Sequence, residues 1–263
     1  MISDRIDLTS WQNCDILTDD LWLFPNRDKQ GKHKNIYHGN FIPQIPYQLI
    51  SRYTKSGEVV LDPFFGSGTT LFECEKLNRK FIGFDINIKM LEFVQSQMID
   101  SPKDFFSLNL FDNTNEQAKY YIQKSLNYLK EKSVSFAIFH PPYHNIVKFT
   151  DNKNDLSNCQ SVDEFINKFQ KTISNSLVFL EKNRYFAVVI GDIYQKSEVV
   201  PLSFLCMNMI KSNFKTKLKG IIVKNIEGNR GKLGVGGIWR YRALKSDYYI
   251  FKHEYIFVFK KEF

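Results

Sequence analysis

The chain has 263 residues, of which 43% are hydrophobic and 24% are charged. This length and apolar content suffice for a large core, so we expect residues 1–263 to form one domain that folds alone. No apolar run approaches the roughly 20 residues that a membrane helix needs, and the first residues lack the pattern of a signal peptide. We therefore expect a cytoplasmic protein without a membrane partner.

The net charge of +8 is concentrated near the end of the chain. Residues 211–263 hold 13 Lys or Arg and 4 Asp or Glu, whereas the residues before them hold 23 Lys or Arg and 24 Asp or Glu. Basic side chains interleaved with aromatic ones are typical of nucleic-acid binding, because cations neutralise phosphates and rings stack on bases. A solvated basic face is the alternative. The four cysteines are far apart and form no CxxC pair, so we predict neither a metal site nor a disulfide framework.

From residue 58 onward, short β-rich runs alternate with amphipathic stretches. Strands are predicted at 59–64, 81–86, 105–111, 134–139, 184–190, 217–225 and 253–260. Helices are predicted at 69–78, from the second strand to about Met98, at about 115–130, after a capping box at Ser161 and Glu164, and at 202–211. The pattern predicts an α/β fold with a doubly wound, mostly parallel seven-stranded sheet and a C-terminal antiparallel strand pair. The segment 225–251 is predicted to be a long basic loop rich in glycine and aromatic residues.

Two glycines mark the turn after the first predicted strand. In LDPFFGSGTT, Gly66 and Gly68 let backbone amides and the helix N-terminus approach a ligand that a Cβ would block. Asp85 follows Gly66 by 19 residues, at the end of the second strand, where a carboxylate can accept hydrogen bonds from ribose hydroxyls. The pattern predicts a nucleoside-bearing cofactor. A third glycine and a lysine after GSGTT are missing, which disfavours NAD and ATP.

The fourth predicted strand runs directly into the tetrapeptide HPPY, from His140 to Tyr143. A rigid surface turn is one interpretation, since prolines cannot continue a sheet. The other is a catalytic loop, because the carboxyl ends of parallel strands meet at the ligand-binding edge of a doubly wound sheet. There the carbonyl of Pro141 and a ring nitrogen of His140 offer two acceptors for an exocyclic NH2 group, and Tyr143 offers a ring that stacks on a base.

DPFFGSGTT, FDIN and HPPY together resemble the amino-methyltransferases of DNA, which transfer a methyl group from S-adenosylmethionine to adenine N6 or cytosine N4. The resemblance covers the chain from about Tyr37 to Lys261, with the cofactor motif before the catalytic one. It implies a Rossmann-like methyltransferase fold and an N-terminal segment, residues 1–57, that closes over the cofactor. The cofactor-binding residues that it implies are Phe64, Gly66, Gly68, Thr69 and Asp85, with Asn109 or Asp112 at the adenine and with His38 and Asn40 in the closing segment.

The resemblance also implies that His140, Pro141, Pro142 and Tyr143 are catalytic. The family ordinarily has Asp, Asn or Ser where this chain has His140, so both target bases stay open, with adenine favoured. No recognition domain fits into the 74 residues between Gly66 and His140, so specificity must come from residues 151–161, residues 225–251 or a partner chain. The candidate contacts with double-stranded DNA, to base edges or to phosphates, are Arg230, Lys232, Trp239, Arg240, Arg242 and Lys245.

The sequence thus favours a site-specific DNA methyltransferase that needs no metal. Methylation of RNA or of a protein glutamine is the alternative within the enzymes. A catalytically silent DNA-binding module is the alternative outside them. A cognate restriction endonuclease is a further partner that the sequence leaves open.

Overall fold

The computed structural model describes residues 2–34, 39–226 and 236–263. Its strands are β1 (Leu21–Trp22), β2 (Val59–Asp62), β3 (Lys80–Asp85), β4 (Phe106–Leu110), β5 (Val134–Phe139), β6 (Leu180–Ile190), β7 (Ile193–Gln195), β8 (Glu198–Val200), β9 (Thr216–Asn225) and β10 (His253–Lys261). Its α-helices are α1 (Gln44–Tyr53), α2 (Thr69–Lys76), α3 (Ile88–Gln97), α4 (Ala118–Tyr128), α5 (Val162–Leu177), α6 (Leu202–Asn213) and α7 (Gly236–Lys245).

In the described part of the chain the main sheet has the strand order β1-β9-β10-β6-β5-β2-β3-β4. The strands from β6 to β4 pair in parallel, and β10 lies antiparallel between β6 and β9. The predicted doubly wound, mostly parallel sheet with a C-terminal antiparallel pair is therefore confirmed. The two-residue strand β1, which is too short to leave a periodic signal, pairs with β9 and adds an eighth strand to the predicted seven.

The strand order reverses between β2 and β5. From β2 the sheet grows through β3 to β4 on one side, and from β5 through β6 on the other. Doubly wound sheets bind ligands outside the carboxyl ends of the strands at such a switch point. The fold therefore brings the residues that follow β2 and β5 together at one crevice.

Helices cover both faces of the sheet. On one face Ile45 of α1, Leu71 of α2 and Val94 of α3 pack in one apolar cluster, and α4, α5 and α6 pack in a second cluster on the other face. In α5 the predicted apolar stripe of Phe165, Phe169, Ile173 and Leu177 is fully buried. Ser161 caps this helix by accepting the Glu164 N–H over 3.1 Å, while the Glu164 carboxylate accepts from Gln160 rather than from Ser161.

Three further elements were not predicted. Helix α1 contains Pro46 and follows Pro43, but prolines are tolerated in a first turn, whose N–H groups have no helical partner. The hairpin of β7 and β8 turns at Lys196 and Ser197, both with positive φ, without the Asn-Gly or Asp-Gly pair that signals such a turn. Helix α7 lies inside the segment predicted as a long loop. Among the described residues, no helix combines the length and the apolar character that crossing a bilayer requires.

Candidate active site

The turn between β2 and α2 is locked to the end of β3. Gly66 has φ +50°, a left-handed conformation, and its N–H donates to Oδ2 of Asp85 over 2.8 Å. The other carboxylate oxygen of Asp85 accepts the N–H of Asn87 over 2.8 Å. Gly68, at φ +86°, is the N-cap residue of α2, and a Cβ there would lie 3.0 Å from Phe72 and Val94. Packing of α2 against α3 thus requires this glycine.

A cavity of about 330 Å³ opens at the switch point, within the size range of small-molecule sites. It brings the two predicted motifs together, although 74 residues separate Gly66 from His140. The predicted site residues that line it are Asn40, Phe64, Gly66, Thr69, Asp85, Asp112, His140, Pro141, Pro142 and Tyr143. Gly68 and Asn109 do not line it, and His38, Arg230 and Lys232 lie outside the described residues.

The two residues predicted as alternatives near the cofactor adenine occupy different places. The amide of Asn109 is turned into the fold, where it donates to the Gly83 carbonyl and to the hydroxyl of Ser125. Asp112 lines the cavity and uses one carboxylate oxygen to accept from the backbone and hydroxyl of Thr114. Of the two, Asp112 is the residue placed to meet a ligand.

Two carboxyl groups lie at the base of the cavity. Burial raises the pKa of Asp62 to about 7, although hydrogen bonds from Thr70 and from the Phe64 N–H act in the opposite direction. Burial also raises the pKa of Asp85 to about 6, against the two backbone N–H groups that it accepts. A cationic ligand stabilises the ionised form of buried carboxyls, so the site is suited to a positively charged molecule.

The tetrapeptide leaves the buried strand β5 at the rim of the cavity. The ring of His140 packs on Phe41, with 4.6 Å between centroids. The carbonyl of Pro142 accepts the N–H of His144 over 2.9 Å. Among the described residues nothing bonds to the carbonyl of Pro141, which is left as a free acceptor in a residue that lines the cavity. The Tyr143 ring lies against Gly191, where a Cβ would approach its Cε2 atom to 3.0 Å.

A chain of polar groups connects the tetrapeptide to the antiparallel strand pair. The Tyr143 hydroxyl lies 3.3 Å from Nε2 of His140 and donates to Oε2 of Glu254 over 2.6 Å. Oε1 of Glu254 in turn accepts from Nζ of Lys224 over 3.0 Å. Burial lowers the pKa of His140 to about 4, so the ring is neutral near pH 7. Burial and the Glu254 charge raise the pKa of Tyr143 well above its ordinary value, so the phenol keeps its proton.

The cavity fits S-adenosylmethionine, which the resemblance implies as the cofactor. The Nδ2 atom of Asn40 is buried at the cavity and has no hydrogen-bond partner among the described residues, so it is a donor ready for a ligand. The ionisable carboxyls of Asp62 and Asp85 suit the positive charges of the sulfonium and ammonium groups. The cavity thus combines apolar walls with a few polar groups, which the polar and charged groups of the cofactor can satisfy.

Two surrounding segments form the roof of the cavity. Gly39 faces Phe149, so that a Cβ on Gly39 would lie 3.1 Å from the phenylalanine ring. Asn154 and Asp155, from the segment 151–161 proposed for specificity, also line the cavity. The N-terminal segment and the loop after the tetrapeptide therefore meet directly over the site.

The basic segment near the C-terminus presents an exposed helix. None of the described side chains from 237 to 245 in α7 is buried, and Arg240, Arg242 and Lys245 all reach the surface. The guanidinium of Arg242 lies over the ring of Trp239, 5.3 Å from its centroid. Strand β9 leads into this segment, and its residue Lys224 lines the cavity, as does Ile226 just after it. In the sequence, the exposed cations of α7 thus come after two residues that line the cavity, although no residue of α7 lines it.

Several site residues escaped sequence reasoning. Arg27 lines the cavity and holds the backbone carbonyls of Asn40 and Phe41, but no motif surrounds it. Asp62 stands inside the recognised DPFFGSGTT motif, and its position at the end of a buried strand was the available signal. Lys224 and Glu254 stand opposite each other on β9 and β10, a pairing that only the register reveals.

Part of the chain is similar to known DNA methyltransferases. The family described as DNA methylase matches residues 3–96, a range that includes Gly66 and Asp85 and ends before His140. Type II methyltransferase M.MjaII of Methanocaldococcus jannaschii is 34% identical over 92 residues, which cover 29% of this chain and 17% of the relative. M.HpaI of Haemophilus parainfluenzae is 40% identical over 78 residues, 29% of this chain and 23% of the relative. M.BamHI of Bacillus amyloliquefaciens is 33% identical over 87 residues, which cover 32% of this chain and 20% of the relative. The matches thus span about a fifth of these relatives' length.

Solved structures share the fold across most of the chain. TrmN from Thermus thermophilus gives a TM-score of 0.54 at 15% identity, over 85% of this chain and 50% of that one. An rRNA methylase from Streptococcus thermophilus gives a TM-score of 0.50 at 12% identity, over 88% of this chain and 100% of that one. SMU.1697c from Streptococcus mutans, solved in complex with SAH, gives a TM-score of 0.51 at 12% identity, over 83% of this chain and 96% of that one. At such identities the likeness establishes the Rossmann-like methyltransferase fold.

Proposed function

We propose that this chain is a DNA amino-methyltransferase, which transfers a methyl group from S-adenosylmethionine to an exocyclic amino group in double-stranded DNA; the family match over residues 3–96 and the similar methyltransferases support the proposal. The observation that carries the proposal is the cavity in which Asp85 and Gly66 lie together with His140 and Tyr143. Cofactor groups and acceptor groups that are distant in sequence share one space there. A rigid surface turn would not require HPPY to face the glycine turn.

In this proposal the cofactor is held by groups at or after the ends of β2, β3 and β4 and by the segment before α1. Asp85 accepts from the ribose hydroxyls, Asp112 lies toward the adenine, and Asn40 donates its free N–H to the cofactor. Phe64 and Thr69 complete the wall around the turn. When bound, S-adenosylmethionine supplies an electrophilic methyl group on a sulfonium centre.

The tetrapeptide receives a base that has turned out of the duplex. Tyr143 offers its ring for stacking, while the Pro141 carbonyl and His140 accept the two hydrogens of the amino group. Acceptors directed at these hydrogens favour a pyramidal nitrogen, whose lone pair is then free to attack in line. Methyl transfer would form the nitrogen–carbon bond as the carbon–sulfur bond breaks, would leave S-adenosylhomocysteine as the neutral thioether, and would release one amino proton to water. Adenine N6 is our first choice of acceptor over cytosine N4, because of the DPF sequence at Asp62–Phe64.

DNA is the proposed partner of the exposed helix α7. Trp239, Arg240, Arg242 and Lys245 lie on it, and Arg230 and Lys232 belong to the segment before it. Guanidinium groups can form paired hydrogen bonds to guanine, and they can also bind phosphates. We include a cognate endonuclease in the proposal, since a further relative, 29% identical over 92 residues, is described as a probable Mod subunit of a type III restriction-modification enzyme. A cytoplasmic location belongs to the same proposal.

The test is to incubate the protein with methyl-labelled S-adenosylmethionine and duplex DNA, digest to nucleosides and identify the labelled species by mass. We expect N6-methyladenine or N4-methylcytosine, and its loss in the double variant His140→Ala, Tyr143→Ala. Tyr120→Ala removes an exposed ring on α4 and serves as the matched control with unchanged activity. Label in RNA or protein instead would redirect the proposal to those substrates. Cofactor and DNA binding without any label would indicate the silent module.

A further inference from the structure

A buried ion pair lies beside the tetrapeptide, at the wall of the same cavity. Lys224 and Glu254 are 4% and 6% exposed, and they stand directly opposite each other on β9 and β10. Burial alone would raise the pKa of Glu254, but the charge of Lys224 and the neighbouring hydrogen bonds outweigh it and lower the pKa. Glu254 is therefore a carboxylate with no proton of its own. Such a buried pair is costly to form, so its place beside Tyr143 calls for an explanation.

The carboxylate fixes the direction of each hydrogen bond toward His140. Because Glu254 can only accept, the Tyr143 hydroxyl donates its one proton to Oε2. The phenol oxygen then has only lone pairs left for His140, whose Nε2 lies 3.3 Å away. Nε2 must consequently carry a hydrogen. A neutral imidazole carries only one, so Nδ1 is left as an acceptor.

We propose that Glu254, held by Lys224, is a positioning residue that acts through Tyr143 to fix His140 in its Nε2–H tautomer, with Nδ1 free to accept from the target amine. This inference rests on the proposed function for the role of the amine. A histidine at this position can accept from the amine only in one tautomer, because an imidazole in the opposite tautomer would present an N–H to the amine. Nδ1 has no hydrogen-bond partner among the described residues, and the ring lines the cavity.

The tautomer can be measured without cofactor or DNA. Nitrogen-15 spectra of the ring nitrogens distinguish protonated from unprotonated positions, and the chain has 5 histidines, so His140→Asn assigns the signal. We expect a protonated Nε2 and an unprotonated Nδ1 in the wild-type protein at pH 7. A protonated Nδ1 would overturn the inference. This measurement needs no folded variant at position 254.

Glu254→Gln tests the direction of the hydrogen bonds that connect Glu254, Tyr143 and His140. Lys224 offers only N–H donors, so it attracts the oxygen of the new side-chain amide and leaves the amide NH2 group facing Tyr143. The phenol must then accept, and its proton turns toward Nε2 of His140. We expect the tautomer to shift toward Nδ1–H and kcat to fall about tenfold or more, with cofactor affinity within about twofold of wild type. An unchanged tautomer in the folded variant would contradict the mechanism.

The same substitution in the His140→Asn background separates positioning from general damage. The asparagine oxygen is an acceptor whatever proton Tyr143 presents, so Glu254→Gln should cost less than about threefold there. An equal loss in both backgrounds would show a merely structural role for Glu254. Because the spectra require no turnover, absence of DNA methylation would defeat the proposed function and leave the tautomer result standing.

Discussion

The hydroxyl of Tyr143 donates to Oε2 of Glu254 over 2.6 Å, although 111 residues separate the two. The contact joins the loop after β5 to strand β10, which lie on either side of β6 in the sheet. Because Glu254 is buried and charged, the hydroxyl satisfies one of its carboxylate oxygens, which would otherwise lose most of its hydration. The tetrapeptide is therefore held by the C-terminal strand pair.

Tyr143→Phe keeps the ring and removes this hydrogen bond. We expect the free energy of unfolding to fall by about 1–3 kcal/mol, since one oxygen of Glu254 loses its partner. Urea unfolding measures the change. Tyr128→Phe is the control, because its hydroxyl also donates, to the Lys103 carbonyl over 2.8 Å, but is exposed. That variant should change the unfolding free energy by less than about 0.5 kcal/mol, and equal losses would contradict the argument.

Gly191→Ala should disturb the position of the Tyr143 ring. A Cβ at residue 191 lies 3.0 Å from Cε2 and 3.4 Å from Cδ2 of that ring, so the ring must move by a few tenths of an ångström. We expect kcat for methyl transfer to fall about tenfold or more while the cofactor Kd stays within about twofold. Gly220→Ala on β9 is the matched control, with its nearest atom 3.9 Å away on Val258. Equal activity of the two variants would argue against a positioned ring.

Cofactor binding should release protons near pH 6. The pKa values of Asp62 and Asp85 are raised to about 7 and about 6, and a cationic ligand favours their ionised forms. Affinity should therefore rise as pH increases from about 5 to about 8. Calorimetry at pH 6 in two buffers of different ionisation enthalpy counts the protons. The Asp62→Asn variant should release fewer protons on cofactor binding. A wild-type protein that releases no protons would contradict the role given to Asp62 and Asp85.

The same shifts predict the stability of the ligand-free protein. A raised carboxyl pKa means that the native state binds more protons than the unfolded state between about pH 4 and pH 7, so stability falls as pH rises through this window. Asp62→Asn removes one such group. We expect this variant to be more stable than wild type at pH 8 and to lose that advantage at pH 4, as followed by urea unfolding. An advantage that does not depend on pH would point to packing instead.

The exposed cations of α7 should determine DNA affinity and its salt dependence. If Arg240 and Arg242 contact phosphates, Arg240→Ala with Arg242→Ala should reduce the slope of log K against log salt by about 2. If they read bases, affinity for the preferred sequence should fall more than that for random DNA. Fluorescence anisotropy at several salt concentrations distinguishes these outcomes. Lys124→Ala with Lys132→Ala removes the same charge from positions elsewhere on the surface and should change neither quantity.

Local pattern was enough to predict the fold class and most elements. Alternating apolar runs and amphipathic stretches indicated the strands and helices from β2 to β6, because burial on a sheet or on one helix face imposes a period on the chain. The pattern did not predict elements whose residues are not ordered by burial. Helix α7 has no buried described side chain, and the turn at Lys196 and Ser197 depends on backbone conformation that their side chains do not signal.

The sequence by itself predicted the glycine turn, Asp85 and HPPY as parts of one site, because each belongs to a short motif whose chemistry is local. Only the tertiary structure decided which of Asn109 and Asp112 faces the cavity, since Asn109 lies within β4 with its amide turned into the fold, whereas Asp112 follows the end of that strand. It alone placed Lys224 opposite Glu254, and Glu254 within hydrogen-bond distance of Tyr143. Such contacts follow from strand order and register, which depend on the packing of the whole sheet and leave no mark in any short stretch of sequence.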